Sequence, residues 1–395
     1  MHQDKKHRAA TGTASDDEPR RVILGSSTIE VSTVCLGTMT FGRMSDEKTA
    51  FCILDRYVEL GGDFLDTAEM YPVPVAPEYV GESEAIIGRW LAERPGMREK
   101  LVIATKVASH NGPGDAGKCP MIREQTLGEG VDSAIDVKCD LSRAQILRAC
   151  DASLARLGID TIDVYQIHWP ERYVPIFGGS QYFSDKEAAP VNDPAELQGF
   201  DSVVKTMGEL IASGKIREWG VSNETSYGVC SFMEACARLR VKKPITIQND
   251  FGLLYRSFEG ELAETCSRRH HNVSLLAYGV LNGGALSGKY LEGGAATPES
   301  RFNFAPGFQP RYRAERSAEA TKEYVALAKE YGLDGATLAQ AWAYSRSYMG
   351  SVIIGARSLA QLEANWKAAT ITLPEECLKA IDAIHLERRN PNLHD

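Results

Sequence analysis

Three polar residues each belong to a short apolar run, and the three runs follow one another along the chain. Asp66 lies in DFLDTA, Lys106 ends LVIATK, and His168 lies in VYQIHW. Tyr71 comes five residues after Asp66. If the runs are neighbouring parallel strands, their carboxyl ends share one edge of a sheet. We therefore expect a carboxylate, an ammonium, an imidazole and a phenol to converge there.

These four groups together suit proton transfer to a substrate oxygen. A phenol has a pKa near 10, and a nearby ammonium such as Lys106 favours its phenolate, which makes Tyr71 a better acid. Asp66 would hold Lys106, and His168 would donate a hydrogen bond to the same oxygen. Taken singly, the residues also suit a helix cap, a solvated charge and a core histidine. Burying them together would cost on the order of several kcal/mol unless they pair, which favours a catalytic site.

Eight short apolar runs alternate with amphipathic helical segments, a pattern typical of a parallel sheet covered by helices. A further pair of runs, RVILGSSTIEVS at positions 21–32, predicts a β-hairpin before them. Eight units favour a closed (β/α)8 TIM barrel of the α/β class, and an open doubly wound sheet is the alternative. The eight runs occupy positions 33–39, 63–68, 101–107, 161–169, 216–223, 245–250, 273–280 and 351–356.

The predicted organisation is a single barrel domain over residues 21–395, preceded by a disordered tail of residues 1–20 that is poor in apolar side chains. Three connections are too long to be tight turns. We expect them to build the rim of a site, and they span residues 109–140, 171–193 and 288–316.

Composition excludes several classes of partner. The formal charge of -9 argues against a nucleic acid or an anionic membrane surface, which are bound through clustered Lys and Arg. No signal peptide and no run of about eighteen apolar residues is present, so we expect a cytoplasmic protein. The nine cysteines include no CxxC pair, which indicates reduced thiols and no metal site.

One stretch has the glycine spacing of a phosphate-binding motif but lacks the sequence context that such a motif requires. Gly112, Gly114 and Gly117 have the spacing G-x-G-x-x-G, but SHN separates them from the preceding strand and Pro120 follows. A Rossmann motif must follow its strand directly and open a helix, so we interpret this stretch as a rim loop. Better candidates follow the last two strands, AYGVLNGGALSGK and GARSLAQLEANW, where barrels frequently bind phosphate.

The stretches GGDFLDTAEMY, ATK and IHWP resemble signatures of the aldo-keto reductase superfamily. HWPER, GVSNET, LLYRSFE and LSGKYL are similar to its Tas-like bacterial branch. The resemblance covers residues 21–390 and implies a (β/α)8 barrel that reduces carbonyl groups with a bound nicotinamide cofactor. It also implies a catalytic tetrad of Asp66, Tyr71, Lys106 and His168.

The resemblance assigns the cofactor site residue by residue. It implies that the nicotinamide carboxamide is held by Ser222, Asn223 and Gln248, and that the ring stacks on Tyr278. It places three residues along the pyrophosphate and five around the adenosine end, respectively Leu281, Ser287 and Lys289, and Gly355, Arg357, Ser358, Gln361 and Asn365.

This chain departs from the family pattern at two positions near the adenosine end. Ala364 stands where the superfamily often has Glu, and Gln361 where some members have Arg. Lys289 and Arg357 remain as the cations for a 2′-phosphate, which favours NADPH over NADH.

We expect the substrate to lie over the nicotinamide against an apolar wall that includes Met39, Phe41 and Trp169. The long fourth loop adds three aromatic residues, which could equally serve only to pack that loop: Tyr173, Phe177 and Tyr182. Residues 301–313 suit either a clamp over the cofactor or a loop anchored by its aromatic side chains.

The sequence thus predicts NADPH-dependent reduction of an aldehyde or ketone to an alcohol, with a small-molecule carbonyl substrate and Tyr71 as proton donor. The alternative is a cofactor-binding regulatory or redox-sensing subunit with little turnover. No metal, nucleic-acid or membrane partner is expected, and the sequence makes no prediction of the oligomeric state.

Overall fold

The structure, a computed structural model, describes residues 18–109, 139–184 and 199–393. The described chain begins with an antiparallel hairpin of strands β1 (Arg21–Ile23) and β2 (Glu30–Ser32). Val22 pairs with Val31, and both side chains are buried. The predicted hairpin is therefore confirmed.

Eight parallel strands follow the hairpin and close into a barrel. Each lies beside its successor, and the last pairs with the first, so every strand has two neighbours. This closure confirms the predicted (β/α)8 barrel over the open sheet. The strands are β3 (Val34–Gly37), β4 (Phe64–Asp66), β5 (Val102–Val107), β6 (Ile162–Ile167), β7 (Ile216–Ser222), β8 (Thr246–Asp250), β9 (Ser274–Tyr278) and β10 (Met349–Ile354).

Helices alternate with these strands and cover the outside of the barrel. Their buried residues recur at helical spacing, as an amphipathic helix on a sheet requires. The helices are α1 (Glu47–Glu59), α2 (Glu82–Ala92), α3 (Arg143–Leu157), α4 (Phe200–Ala212), α5 (Ser226–Leu239), α6 (Glu261–Cys266), α7 (Arg301–Phe304), α8 (Glu315–Glu330), α9 (Gly335–Tyr344), α10 (Leu359–Ala368) and α11 (Glu375–Glu387).

The hairpin closes the amino-terminal end of the barrel. Its Leu24, Ile29 and Val31 are buried in one apolar cluster with Cys35 and Phe64 of the first two barrel strands. Burial raises the pKa of the Cys35 thiol well above its ordinary value, which suits a structural rather than a nucleophilic cysteine. The amino-terminal end of the barrel is therefore filled by apolar side chains. The polar residues that end the strands lie at the opposite, carboxyl end.

Of the three long connections, only residues 288–316 lie wholly within the described chain. They contain α7 and a 3-10 turn at Pro310–Arg313. Residues 110–138, which include the G-x-G-x-x-G stretch, and residues 185–198 lie outside the described residues, as do residues 1–17 of the predicted tail.

Across the described ranges, no helix is long and apolar enough to cross a membrane. The same ranges contain no group of three or more His, Cys, Asp or Glu side chains that could hold a metal ion.

Tyr57 fastens α1 to the first two barrel strands. Its buried hydroxyl lies 2.7 Å from the carbonyl oxygen of Val34 and 2.9 Å from that of Phe64, and it accepts a hydrogen bond from the amide of Phe64. We expect Tyr57→Phe to lower the free energy of unfolding by about 1–3 kcal/mol, because a buried amide and carbonyl lose their partner. Urea unfolding followed by circular dichroism measures this loss.

Tyr227→Phe is the matched control, because the Tyr227 side chain is 68% exposed. Its unfolding free energy should stay within about 0.5 kcal/mol of the parent chain. Equal stability of both variants would show that the Tyr57 hydroxyl does not join the helix to the sheet.

Candidate active site

The barrel brings three of the predicted catalytic residues to the carboxyl end of neighbouring strands. Asp66 is the last residue of β4, Lys106 is the next-to-last residue of β5, and His168 directly follows β6. Tyr71 lies in the connection after β4, and its ring packs edge-on against that of His168, with centroids 5.7 Å apart. The four side chains predicted from sequence therefore share one location.

Lys106 lies at the centre of this group. Its side chain has no exposed surface. The ammonium nitrogen Nζ donates to Asp66 Oδ2 at 2.7 Å, to the carbonyl oxygen of Thr67 at 2.7 Å and to the Tyr71 hydroxyl at 3.3 Å. All three donors of the ammonium are thus used, which is the condition under which a buried charge is tolerated.

Lys106 stays protonated because its partners raise its pKa by more than burial lowers it. Burial alone lowers the pKa of Lys106, but Asp66 and Tyr71 raise it, and the net direction is upward. Burial also raises the pKa of Tyr71, and Lys106 opposes that rise without reversing it. At neutral pH the tyrosine therefore keeps its proton beside a cation, as a general acid must.

His168 is buried and uncharged at neutral pH. Burial, and then the charge of Lys106, lower the pKa of His168 well below its usual value. A neutral imidazole still carries one N–H that can donate to a substrate oxygen. Trp169 packs against His168 with ring centroids 4.6 Å apart, and its indole N–H donates to the carbonyl oxygen of Ser109 at 2.8 Å.

Two glutamines complete the surroundings of Asp66. Gln248 Nε2 donates to Asp66 Oδ1 at 2.7 Å, and Gln166 Nε2 lies 3.3 Å from the same oxygen. Sequence reasoning assigned Gln248 only to the cofactor and missed Gln166. The available signal was position, because Gln166 stands two residues before His168 in VYQIHW, and alternate residues of a strand point to the same side.

The residues predicted to hold the nicotinamide lie beside the tetrad and are hydrogen-bonded together. Asn223 Nδ2 donates to the carbonyl oxygen of His168 at 2.7 Å, and the Tyr278 hydroxyl donates to Asn223 Oδ1 at 2.5 Å. Ser222 Oγ donates to the carbonyl oxygen of Gln248 at 2.6 Å. These bonds tie the ends of β7, β8 and β9 to the end of β6.

The cationic side chains of Lys289, Arg301 and Arg357 lie close together in the segments that follow β9 and β10. Burial, and then the charges of Arg357 and Arg301, lower the pKa of Lys289. Burial is likewise the largest cause of the lowered pKa of Arg301, on which Arg357 also acts. Among the described residues, none of the three forms a salt bridge with an acid. The exposed Glu299 carboxylate also acts electrostatically on Arg357 without forming a salt bridge with it. A cluster of three cations suits an anionic ligand such as phosphate.

Two glycines with positive φ lie beside these cations. A Cβ on Gly284, where φ is +95°, would come within 2.8 Å of Lys289 Nζ. A Cβ on Gly283, where φ is +66°, would meet Cδ of Arg301 at 3.5 Å and the ring of Phe302 at 2.7 Å. Arg301 was not assigned from sequence, because a charged residue in a long connection carries no periodic pattern.

The other predicted dinucleotide residues surround this cluster. Ser358 caps α10 by accepting from the amide of Gln361 at 3.3 Å, and Gln361 Oε1 accepts from the amide of Arg357 at 2.9 Å. Asn365 Nδ2 donates to the carbonyl oxygen of Gly355 at 3.2 Å. Two residues lie on the other side, after β9, where Leu281 is half-buried and Ser287 is exposed.

Residues 301–313 are anchored over the carboxyl end by a buried ion pair. Arg311 Nε donates to Asp250 Oδ2 at 3.0 Å, and the Tyr312 hydroxyl donates to the same oxygen at 2.8 Å. The Arg311 guanidinium also lies over the ring of Phe177, 5.3 Å from its centroid. Phe308 of the same segment packs in the cluster that contains Tyr71. The segment is thus fixed by aromatic contacts and by charge, and it reaches the tetrad.

The predicted substrate wall is divided between two environments. Met39 packs with Tyr71 and Phe308 near the tetrad. Phe41 has no exposed surface and lies in the main core between barrel and helices, so the structure gives no support to a substrate contact there. Tyr173 and Tyr182 pack against each other, with ring centroids 5.3 Å apart.

Comparison with known proteins places this fold and site in a family. The family model described as Aldo/keto reductase family matches residues 33–386. The protein named Protein tas of Escherichia coli strain K12 is 38% identical over 359 residues, which cover 91% of this chain and 95% of that protein. The chain belongs to the aldo/keto reductase family, whose members are oxidoreductases that generally use nicotinamide cofactors.

Two further relatives are named as reductases. An aldo-keto reductase of Babesia bovis is 32% identical over 305 residues, covering 74% of this chain and 98% of that protein. Norsolorinic acid reductase stcV of Emericella nidulans is 28% identical over 371 residues, covering 92% of this chain and 80% of that protein.

NMR can measure how burial affects the protonation of the His168 ring. We expect its ring to stay neutral near pH 6.5, where a solvated imidazole takes up a proton, because burial and the charge of Lys106 lower its pKa. Because the unfolded chain takes up that proton and the folded chain does not, the contribution of His168 to stability is present above that pH and is lost as pH falls.

Heteronuclear NMR of labelled histidine measures this, with free histidine titrated in the same buffer as reference. In Lys106→Met the His168 pKa should rise, since one of its two causes is removed, yet stay below its usual value because burial remains. A His168 midpoint near pH 6.5 in the parent protein would contradict the burial of the ring.

Proposed function

We propose that this protein reduces an aldehyde or ketone to an alcohol with NADPH, and that Tyr71 donates the proton. The observation that carries this proposal is the fully buried Lys106 ammonium, which joins Asp66 to the Tyr71 hydroxyl. A structural ion pair has no need of a phenol at hydrogen-bond distance from the ammonium. An acid that must release its proton at neutral pH does need a cation beside it.

The proton step uses three side chains of this protein. A substrate carbonyl oxygen placed between the Tyr71 hydroxyl and the His168 imidazole would accept a hydrogen bond from each. As negative charge develops on that oxygen, Tyr71 releases its proton to it and Lys106 stabilises the phenolate that remains. Asp66 keeps Lys106 charged and in place through the cycle. When bound, the nicotinamide cofactor supplies hydride to the carbonyl carbon.

The residues beside the tetrad fit a dinucleotide. Ser222, Asn223 and Gln248 offer amide and hydroxyl groups next to the tetrad, where a nicotinamide carboxamide would be held. The cation cluster of Lys289, Arg301 and Arg357 would hold the phosphates, and the glycines beside it permit a close approach of the backbone. Ser358, Gln361 and Asn365 would bind the adenosine end, with Gly355 beside them.

Preference for NADPH follows from the number of cations. A diphosphate bridge is common to both coenzymes, and the 2′-phosphate of NADPH adds a second anionic group that calls for its own cation. Three clustered cations, none of them in a salt bridge within the described residues, offer positive charge to both groups, and the exposed Glu299 carboxylate offsets part of the charge of Arg357. A carboxylate, which would favour the ribose 2′-hydroxyl of NADH, is absent at position 364, where Ala stands.

The substrate is proposed to be a neutral carbonyl compound of moderate size. Met39 and Phe308 form an apolar wall beside Tyr71, and Trp169 flanks His168 on the other side. An apolar wall with two converging hydrogen-bond donors fits an aldehyde or ketone with an apolar substituent.

A cofactor-binding regulatory subunit would keep the same dinucleotide residues. It would have no use for the Tyr71–Lys106–Asp66 arrangement, which costs buried charge and serves proton transfer. The complete tetrad therefore favours the enzyme.

Replacement of Tyr71 by Phe tests the proton donor. We expect kcat with a panel of aldehydes to fall by about 10²–10⁴-fold, because the general acid is lost while the ring remains. NADPH affinity, measured by quenching of tryptophan fluorescence, should not change.

Tyr79→Phe is the matched control in the same connection, since the Arg43 guanidinium lies over the Tyr79 ring, whereas the Lys106 ammonium donates to Tyr71. It should retain the parent kcat. Turnover in Tyr71→Phe equal to that of Tyr79→Phe would remove Tyr71 from the mechanism, and NADPH binding without turnover in the parent chain would favour the regulatory alternative.

The cation cluster gives a second prediction, which concerns the coenzyme. Lys289→Met and Arg357→Met should each raise KM for NADPH by roughly tenfold or more, since each removes a charge-assisted hydrogen bond. KM for NADH should change less. Steady-state kinetics with both coenzymes measures the difference, and Arg313→Met, an exposed arginine of the neighbouring segment, is the control. Equal losses for both coenzymes would assign these cations to the pyrophosphate instead.

A further inference from the structure

Gln166 is a buried polar side chain that the proposed reaction does not yet use. It lies on β6 with no exposed surface, and it pairs in register with Lys106 of β5. Paired residues of neighbouring parallel strands point to the same side of the sheet. Gln166 therefore enters the barrel interior beside Lys106, in a position where an apolar side chain would avoid the cost of burying an amide.

The partner of Gln166 is the oxygen of Asp66 that Lys106 does not contact. Lys106 binds Oδ2, whereas Gln248 Nε2 and Gln166 Nε2 lie 2.7 Å and 3.3 Å from Oδ1. Because a carboxylate only accepts hydrogen bonds, the nitrogen of each amide must face it. Both oxygens of Asp66 are thus bound by donors that fix the plane of the carboxylate.

The two amides also lie against each other. Gln248 Nε2 is 3.5 Å from Gln166 Oε1, so the pair connects β8, β6 and the end of β4 through the interior of the barrel. Gln248 is proposed to contact the nicotinamide carboxamide. The glutamine pair therefore joins the cofactor side of the site to the acid that holds Lys106.

We propose that Gln166 is a positioning residue which, with Gln248, holds Asp66 as the carboxylate partner of Lys106 and so sets the acid strength of Tyr71. This inference rests on the proposed reductase function. Gln166 would act through Asp66 and touch neither substrate nor cofactor.

Charge determines in which direction the loss of Gln166 shifts the pKa of Tyr71. Without the amide, the negative charge of Asp66 is less offset. The surroundings of Tyr71 then become less positive, so the pKa of Tyr71 rises and the residue becomes a weaker acid.

The other charged or titratable groups around this centre do not alter that sign. Arg301 faces Tyr71 from the 301–313 segment, and its charge favours the phenolate. His168 is held neutral by burial and by Lys106. Cys35 lies in the apolar cluster at the amino-terminal end of the barrel, where burial keeps it a neutral thiol. Asp66 and Lys106 are therefore the charges through which Gln166 acts on Tyr71.

Gln166→Met tests the proposal, because methionine has nearly the same length and no donor. The alkaline limb of the pH profile of kcat/KM should move up by about one unit, since a hydrogen bond to a charged group is worth about a tenfold factor in an equilibrium. The rate at pH 7 should fall by roughly threefold to tenfold, as Brønsted behaviour requires for a weaker acid. The dissociation constant of NADPH should stay the same.

Gln166→Glu is the conservative variant and gives a second readout. When protonated, its carboxyl group can donate to Asp66 as the amide does. We expect activity near that of the parent chain at low pH and a loss of activity as that proton is released, which is a new ionisation in the profile. A purely structural role for Gln166 would not produce this pH-dependent rescue. If Gln166→Met does not fold, the pH profile of Gln166→Glu by itself tests the proposal.

Gln145→Met is the matched control, since Gln145 is a buried glutamine on α3, outside the barrel. Its pH profile should equal that of the parent chain. An unshifted alkaline limb in Gln166→Met, or a Gln166→Glu profile without a new ionisation, would overturn the inference while leaving the reductase intact.

A measurement without turnover separates the two proposals. NMR of ring-labelled tyrosine gives the pKa of Tyr71 directly, with Tyr71→Phe identifying its resonance. We expect that pKa to rise by about one unit in Gln166→Met. A parent chain that reduces no aldehyde would contradict the proposed function, and an unchanged Tyr71 pKa would contradict the role of Gln166.

Discussion

The ion pair between Lys106 and Asp66 is the interaction on which the carboxyl end of this barrel depends. A buried ammonium without partners would strongly destabilise the fold. It is tolerated here because Asp66, the carbonyl of Thr67 and the hydroxyl of Tyr71 use all three of its donors. Each partner must stay within hydrogen-bond distance, so the pair fixes the ends of β4 and β5 and the connection that carries Tyr71. The same contacts that stabilise the charge also place a cation beside the Tyr71 hydroxyl.

Tyr71 stands between two sources of positive charge. Lys106 contacts it from inside the barrel, and Arg301 acts on it from the segment over the mouth. Arg301 also belongs to the cation cluster with Lys289 and Arg357. An anion bound by that cluster would therefore offset one of the two charges that Tyr71 experiences. The buried pair of Asp250 and Arg311 holds the segment in place, which keeps the cluster at the barrel mouth.

The tetrad could be predicted because its members lie in or beside strands, where an apolar run makes a polar residue conspicuous. Gln248 was found only through family resemblance, and its contact with Asp66 was not foreseen. Residues 301–313 were expected to form either a clamp over the cofactor or a loop anchored by aromatic side chains, but no role was assigned to Arg301 or Phe308 individually, because a long connection has no periodic pattern. Phe41 was expected in the substrate wall, yet its ring has no exposed surface and lies in the core between barrel and helices.

The sequence by itself determined the order and type of the elements, because apolar runs and amphipathic helices are local patterns with their own periods. It also determined which strands end in groups capable of acid–base chemistry. Only the tertiary structure decided that Asp66 would meet Gln166 and Gln248, or that Arg301 would join Lys289. The contacts of Asp66 join residues 100 and 182 positions apart along the chain. They arise only when the sheet closes and the long connection folds back over its open end, which depends on the packing of the whole barrel rather than on any local pattern.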